Sequence, residues 1–305
     1  MIKADCLRKV YKDCIALEEF SCEIFHPGIA GLLGANGAGK STAMKILSGC
    51  LAPSSGSASI MGYDILSQSR EARNQIGYAP ETMLFYREMK VQEYLEYVGT
   101  LKGVKRNCLS RQIMNIAEEC NLKDVFSKKI GNLSKGYCQR LGLAQALVGD
   151  PPILIVDEPT SALDPLQIIE TRNLLKRLGK KKYILLSTHI LSEVEQICDQ
   201  VIILHKGKIV LQKNLHSLLQ ANKIVLSLAN FPGVILEEIN QIEGIHHIDF
   251  LHENTLQIFF QNPLDPSQEI QEICQKYNLL VLYFGYSRIT LEDIYVQATH
   301  TEKVV

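Results

Sequence analysis

Residues 34–42 read Gly-Ala-Asn-Gly-Ala-Gly-Lys-Ser-Thr, and no other stretch restricts the fold as much. The spacing is that of a P-loop: Gly34, four residues, then Gly39-Lys40-Ser41. Glycines let such a loop fold into a nest whose N–H groups, including those of Asn36, Gly37 and Ala38, point inward at phosphate oxygens. A following helix adds the positive end of its dipole. Gly28–Leu33 is a short apolar run and Ser41–Ser48 has helical composition, so the loop is expected at a strand-to-helix junction. Lys40 then reaches the β- and γ-phosphates, the Ser41 hydroxyl binds Mg²⁺, and Thr42 completes the nucleotide-binding loop. The motif predicts binding of a nucleoside triphosphate with Mg²⁺.

A P-loop needs an α/β sheet behind it, and the rest of the chain supplies one. Ile153–Val156 is an uninterrupted apolar run after Pro151-Pro152, as in a parallel strand buried on both faces. Ile184–Ser187 and Val201–Leu204 repeat the pattern, with helical segments at about 166–178 and 191–198 between them. Ala58–Met61 reads as a strand after a Pro/Ser/Gly-rich loop, 51–57. Val91–Leu101 and Arg111–Cys120 have helical spacing, so about 82–150 is expected as a helical insertion in an α/β domain spanning 1–212. Beyond it, strands at 223–228, 247–251, 255–260 and 279–284 alternate with helices at 234–241 and 266–277. That βαββαβ order predicts a small ferredoxin-like α+β domain over 222–305, closed by a helix at 291–298.

The chemistry-bearing residues follow the apolar runs. Ile153–Val156 ends in Asp157-Glu158, at the strand end where ligands collect in open α/β sheets. With Lys40 lying 117 residues upstream of Asp157, Asp157 is expected to hold Mg²⁺. Glu158 is expected to act as the general base that activates water, a role worth ~10²–10⁴-fold. His189 follows Ser187-Thr188 at the next strand end and is expected to contact the γ-phosphate or the attacking water. Tyr11 stands in a polar turn, where it reads either as surface packing or as a platform for adenine.

Composition narrows the function classes. The 305 residues include 46% apolar and 21% charged residues, enough for a sizeable core. The formal net charge is −1, which offers no general attraction to nucleic acid. The basic runs Lys102–Arg106 and Lys180-Lys181-Lys182 are short enough to be solvated turns. Nine cysteines occur without a C-x-x-C pair, and no His or Cys cluster completes a metal site beside them. Reduced thiols in a cytoplasmic protein are expected. No charged-then-apolar leader opens the sequence, and no apolar run approaches the roughly 18–20 residues that span a bilayer. Any membrane part is therefore expected on another polypeptide.

Leu133-Ser134-Lys135-Gly136-Tyr137-Cys138-Gln139-Arg140 resembles the signature of ATP-binding subunits of ABC transporters, LSGGQ-x-Q-R. Ser161-Ala162-Leu163-Asp164 resembles the D-loop of that family, and His189 its switch histidine. The ordered motifs cover roughly residues 1–212. The resemblance implies an ATPase whose subunits pair head to tail, as a homodimer or a heterodimer. Ser134 and Gly136 of one chain, with Asp164, would close over ATP on the other chain's P-loop. It implies a separate integral-membrane permease as partner, no nucleic acid, and a peripheral position on the cytoplasmic face of the cell membrane. The segment that couples to the permease is expected within about 82–126.

Two departures stand out. Glu81, in Tyr78-Ala79-Pro80-Glu81, replaces the usual Gln of the Q-loop. It keeps an oxygen for Mg²⁺ but loses the amide donors. Lys135 and Tyr137 replace the usual signature residues, while Ser134 and Gly136 remain. Both departures, and the Thr290-Leu291-Glu292-Asp293-Ile294-Tyr295 stretch, resemble an exporter-type, ABC-2-like or gliding-type subgroup, which implies export. A soluble ATPase acting on ribosomes or DNA fits less well, because the chain has one P-loop, no sustained heptads and no basic tail. A third reading makes the C-terminal domain a ligand sensor, and fold alone does not decide it.

Overall fold

The computed structural model describes residues 1–12, 14–161, 163–218, 222–260, 264–288 and 290–300. The chain divides into two units, Met1–Gln212 and Lys213–Val305.

The first unit is built on a ten-stranded sheet. Its strands are β1 (Ile2–Tyr11), β2 (Cys14–Ile24), β3 (Gly28–Leu33), β4 (Ser55–Ile60), β5 (Tyr63–Asp64), β6 (Ile76–Ala79), β7 (Ile153–Asp157), β8 (Tyr183–Thr188), β9 (Gln200–His205) and β10 (Lys208–Asn214), the last running two residues past the division. Their order across the sheet is β5-β4-β1-β2-β10-β9-β3-β8-β7-β6. The run β9-β3-β8-β7-β6 is parallel, and β2-β1-β4-β5 is antiparallel.

Chain composition explains the division. β7 is buried at every residue, and β3 and β8 at all but the first, as a parallel sheet covered on both faces requires. β1 instead alternates between buried and exposed positions over its first half, the pattern of a sheet with one wet face. Leu32, Ile155, Leu185 and Ile202 from the parallel strands pack with Met44 and Ile46 of α1 (Lys40–Leu47) and Phe20 of β2.

The remaining helices of this unit are α2 (Ser69–Asn74), α3 (Val91–Leu101), α4 (Arg106–Glu119), α5 (Lys135–Leu147), α6 (Pro165–Gly179) and α7 (Leu191–Ile197). α3, α4 and α5 fall between β6 and β7 in sequence. α4 begins five residues before the expected 111, and β4 starts inside the expected 51–57 loop.

The second unit contains α8 (Leu215–Leu218), β11 (Asn222–Leu228), α9 (Val234–Asn240), β12 (Ile245–His252), β13 (Thr255–Phe260), α10 (Ser267–Lys276), β14 (Val281–Arg288) and α11 (Leu291–His300). Its sheet has the order β12-β13-β11-β14, antiparallel throughout. Ile224, Leu226 and Leu228 of β11 form its core with Ile235 and Ile239 of α9 and Ile270 of α10. Lys223 alternates away from that core, and its Nζ lies 2.7 Å from Asp293 of α11. Asp293 also accepts from the Thr290 N–H and hydroxyl at 2.8 Å each. The Leu-Glu-Asp stretch thus anchors the start of the last helix.

Candidate nucleotide-hydrolysis site

The P-loop joins β3 to α1. Gly37 and Gly39 take φ values of 81° and 106°, a backbone region side chains disfavour. A Cβ on Gly39 would also lie 2.4 Å from the Ala16 carbonyl oxygen. The loop is strapped from outside: the Gly207 N–H donates to the Ala38 carbonyl, and the Glu18 N–H to the Gly207 carbonyl, both at 3.0 Å. Lys40 curls back onto its own loop, its Nζ donating to the Gly34 carbonyl at 2.7 Å and the Ala35 carbonyl at 3.2 Å. Burial lowers its pKa from the ordinary value, although Glu158, Asp157 and Glu81 pull it upward.

Three strand ends bring the reacting groups together. β7 ends in Asp157, and Glu158 turns sharply with φ of 48°. That turn carries its carboxylate to within 3.9 Å of Lys40 Nζ. His189, just past β8, sets Nδ1 at 3.0 Å from both Glu158 oxygens. With Glu158 ionised, Nδ1–H is the donor. Burial raises the Glu158 pKa above its ordinary 4.5, and His189 and Lys40 oppose the rise. Desolvation therefore dominates two favourable neighbours, which tunes the carboxylate toward accepting a proton.

Sequence reading passed over residues that hold this cluster. The Ser187 hydroxyl donates to Asp157 and accepts from the Glu158 N–H at 3.1 Å, so one side chain orients both acids. Thr160, Thr188 and Glu193 form a buried network beside it. Hydroxyl residues flanking Glu158 and His189 were the available signal.

Ser134, Asp164 and Tyr11 make their contacts outside that cluster. Ser134 caps α5, accepting from the Tyr137 N–H at 3.4 Å. Asp164 caps α6, accepting from the Gln167 N–H at 2.9 Å, with Pro165 at the first helical position. A Cβ on Gly136 would lie 2.2 Å from the Gln167 side chain, so the two capped helix starts adjoin. Ala162 of the expected D-loop lies outside the described residues. Tyr11 is exposed at the end of β1, its ring 5.3 Å from Lys9 Nζ. Glu81 is exposed and lines a groove of about 590 Å³ together with Lys135 and Gln139.

These features have counterparts in known proteins. The model of the ABC transporter family matches residues 17–161. An uncharacterized ABC transporter ATP-binding protein of Bacillus subtilis, YxlF, is 34% identical over 304 residues, covering 98% of this chain and 100% of the relative. The bacitracin transport ATP-binding protein BcrA of Bacillus licheniformis is 31% identical over 304 residues, 97% of this chain and 96% of the relative. A solved ATP-binding subunit of an ABC transporter superposes with a TM-score of 0.66 at 32% identity, over 72% of this chain and 91% of that one. With a P-loop, an acid-tipped strand and a strand-end histidine converging in one cassette, the chain belongs to the ABC transporter family as an ATP-binding subunit and is an ATPase.

Proposed function

We propose that two copies of this chain pair head to tail around two ATP molecules and drive export through a separate permease. The observation that carries this reading is the strand-end cluster: Glu158 held 3.0 Å from His189 and 3.9 Å from Lys40. Lys40 swings from its loop carbonyls to the β- and γ-phosphates, exchanging two neutral acceptors for charged ones. Glu158 takes the proton of the attacking water, and the His189 Nδ1–H holds that carboxylate in one orientation.

Ser41 and Asp157 offer hard oxygen donors, the set Mg²⁺ prefers. Ser187 keeps one Asp157 oxygen in place for that purpose. When bound, the ion neutralises phosphate charge. Glu81 adds negative charge near Lys40 and extends the acidic side of the site. Tyr11, an exposed aromatic at the rim of β1, is assigned to adenine stacking.

The α5 N-terminus supports the paired arrangement. Ser134 and Gly136 head a 13-residue helix whose dipole favours an anion, yet Lys40 of the same chain sits in a different cluster. A second copy supplies the phosphate. ATP draws the copies together, and loss of the γ-phosphate releases them.

The permease is assigned to the groove between residues 81–87 and α5. Leu84 there is 91% exposed, and Phe85, Tyr86, Tyr94 and Tyr97 form a chain of ring contacts beside it. Gln139 lines the groove, and its buried Nε2 has no hydrogen-bond partner among the described residues. Among the described residues no helix is long and apolar enough to cross a membrane. Export is supported by Glu81, by the 290–295 stretch and by the bacitracin-transport relative. The test is purification of tagged Glu158→Gln protein from its native membranes with ATP present. A stoichiometric multi-spanning protein is the expected companion. Ribosomes or nucleic acid with no membrane protein would overturn the reading.

A further inference from the structure

Strands β7 and β8 pair in register up to Asp157 and Ser187, and one further bond, from the Glu158 N–H to the Ser187 carbonyl at 3.2 Å, closes the ladder. Beyond that point the two segments have no ladder between them, yet both carry reacting groups. Glu158 lies on one and His189 on the other. Backbone pairing alone leaves the separation of these two side chains loosely determined.

A buried carboxylate bridges the gap. Glu193, in the first turn of α7, is 0% exposed. Its Oε1 accepts from the Thr160 hydroxyl at 2.8 Å, two residues past Glu158. Its Oε2 accepts from the Thr188 hydroxyl at 2.6 Å, one residue before His189. The same Thr188 oxygen accepts from the Ile190 N–H at 3.1 Å, so the backbone is held on both sides of His189. Burying a carboxylate without a cation partner is costly. An apolar side chain would fill this space without that cost but could not fix two hydroxyls at once.

We propose that Glu193 is a positioning residue for ATP hydrolysis. Through Thr160 and Thr188 it locks the segments that carry Glu158 and His189, and so fixes the contact between the base and the histidine. The inference rests on the roles given above to Glu158 and His189.

The experiment measures kcat, KM and ATP affinity of the full chain, with Glu193→Ala made in the wild-type and His189→Ala backgrounds. Single-turnover assays with labelled ATP keep the slow variants measurable. In the wild-type background kcat should fall about 10- to 100-fold, while ATP affinity stays within about twofold. In the His189→Ala background the same change should cost nothing further, because the residue acts through the missing imidazole. An unchanged kcat, an equal loss in both backgrounds, or a parallel loss of ATP affinity would each overturn the proposal. Should Glu193→Ala not fold, Thr160→Val and Thr160→Ser replace it. Valine should lower kcat and serine restore it, and equal activity of the two overturns the proposal. A His189→Ala protein with wild-type kcat would overturn the His189 assignment itself, and that result is read before Glu193 is varied.

Discussion

The strand-end cluster and the α5 N-terminus, the two places proposed to meet phosphate, differ in how fully their own chain satisfies them. In the cluster nearly every polar group is committed. Lys40 bonds two loop carbonyls, Ser187 bonds Asp157 and the Glu158 N–H, and His189 faces Glu158. Burial of Lys40, Asp157, Glu158 and Ser187 makes their bonds stronger and the loss of them more expensive. At the head of α5, Ser134 makes one long bond of 3.4 Å to its own helix and is open to solvent. The first half of the site is preorganised within one chain, and the second half is presented outward. The contrast supports the proposed pairing, in which the dipole of α5 would find its anion on another molecule.

The largest test of this contrast removes the base. Glu158→Gln should lower hydrolysis by ~10²–10⁴-fold while ATP binding persists and the ATP-bound dimer accumulates. Hydrolysis assays and gel filtration with ATP read both, and undiminished turnover would remove Glu158 from its role. Next in size, Lys40→Ala should weaken ATP binding on the order of 100-fold, the worth of a strong charged hydrogen bond. A fluorescent ATP analogue measures this, and normal affinity would break the P-loop assignment.

The sharpest test of the two halves mixes defective chains. Lys40→Ala and Ser134→Ala homodimers should both be nearly inactive. A mixed dimer contains one site with both defects and one intact site, so random mixing should recover about a quarter of wild-type activity. No recovery would mean that Ser134 serves the P-loop of its own chain.

The smallest effect is on stability. Burial raises the folded-state pKa of Glu158, so the favourable contribution of this group is fully present below its unfolded pKa. It is lost as pH rises through the folded value. Against Glu158→Gln, the wild-type chain should therefore lose relative stability as pH rises from about 4.5. Melting temperatures of the two proteins across that range check it, and a constant difference would contradict it.

Several elements were legible in the sequence because their chemistry is local. Continuous apolar runs announced β7, β8 and β9, and the glycine pattern placed the phosphate loop between β3 and α1. β6 was not legible. Ile76-Gly77-Tyr78-Ala79 has weak strand propensity, and it becomes a strand because Gly77 admits the α5 backbone. A Cβ there would lie 2.1 Å from the Ala146 carbonyl oxygen. β10 was missed for a related reason: it is half-buried with polar ends, and pairing rather than pattern makes it a strand. Arg106–Ser110 joined α4 for lack of any breaker after Val104.

Of the site itself, the sequence determined which groups are present: a phosphate nest, a lysine, two adjacent acids, a histidine and two helix-capping residues. Motif spacing suffices for that, since each motif occupies one loop or one strand end. Only the tertiary structure decided how those groups meet. The positive φ of Glu158 aims its carboxylate at Lys40 and His189. Ser187, Thr160, Thr188 and Glu193 enter the site through hydrogen bonds spanning up to 33 residues of sequence. Such bonds depend on which strands lie side by side, and strand order is set by packing of the whole sheet.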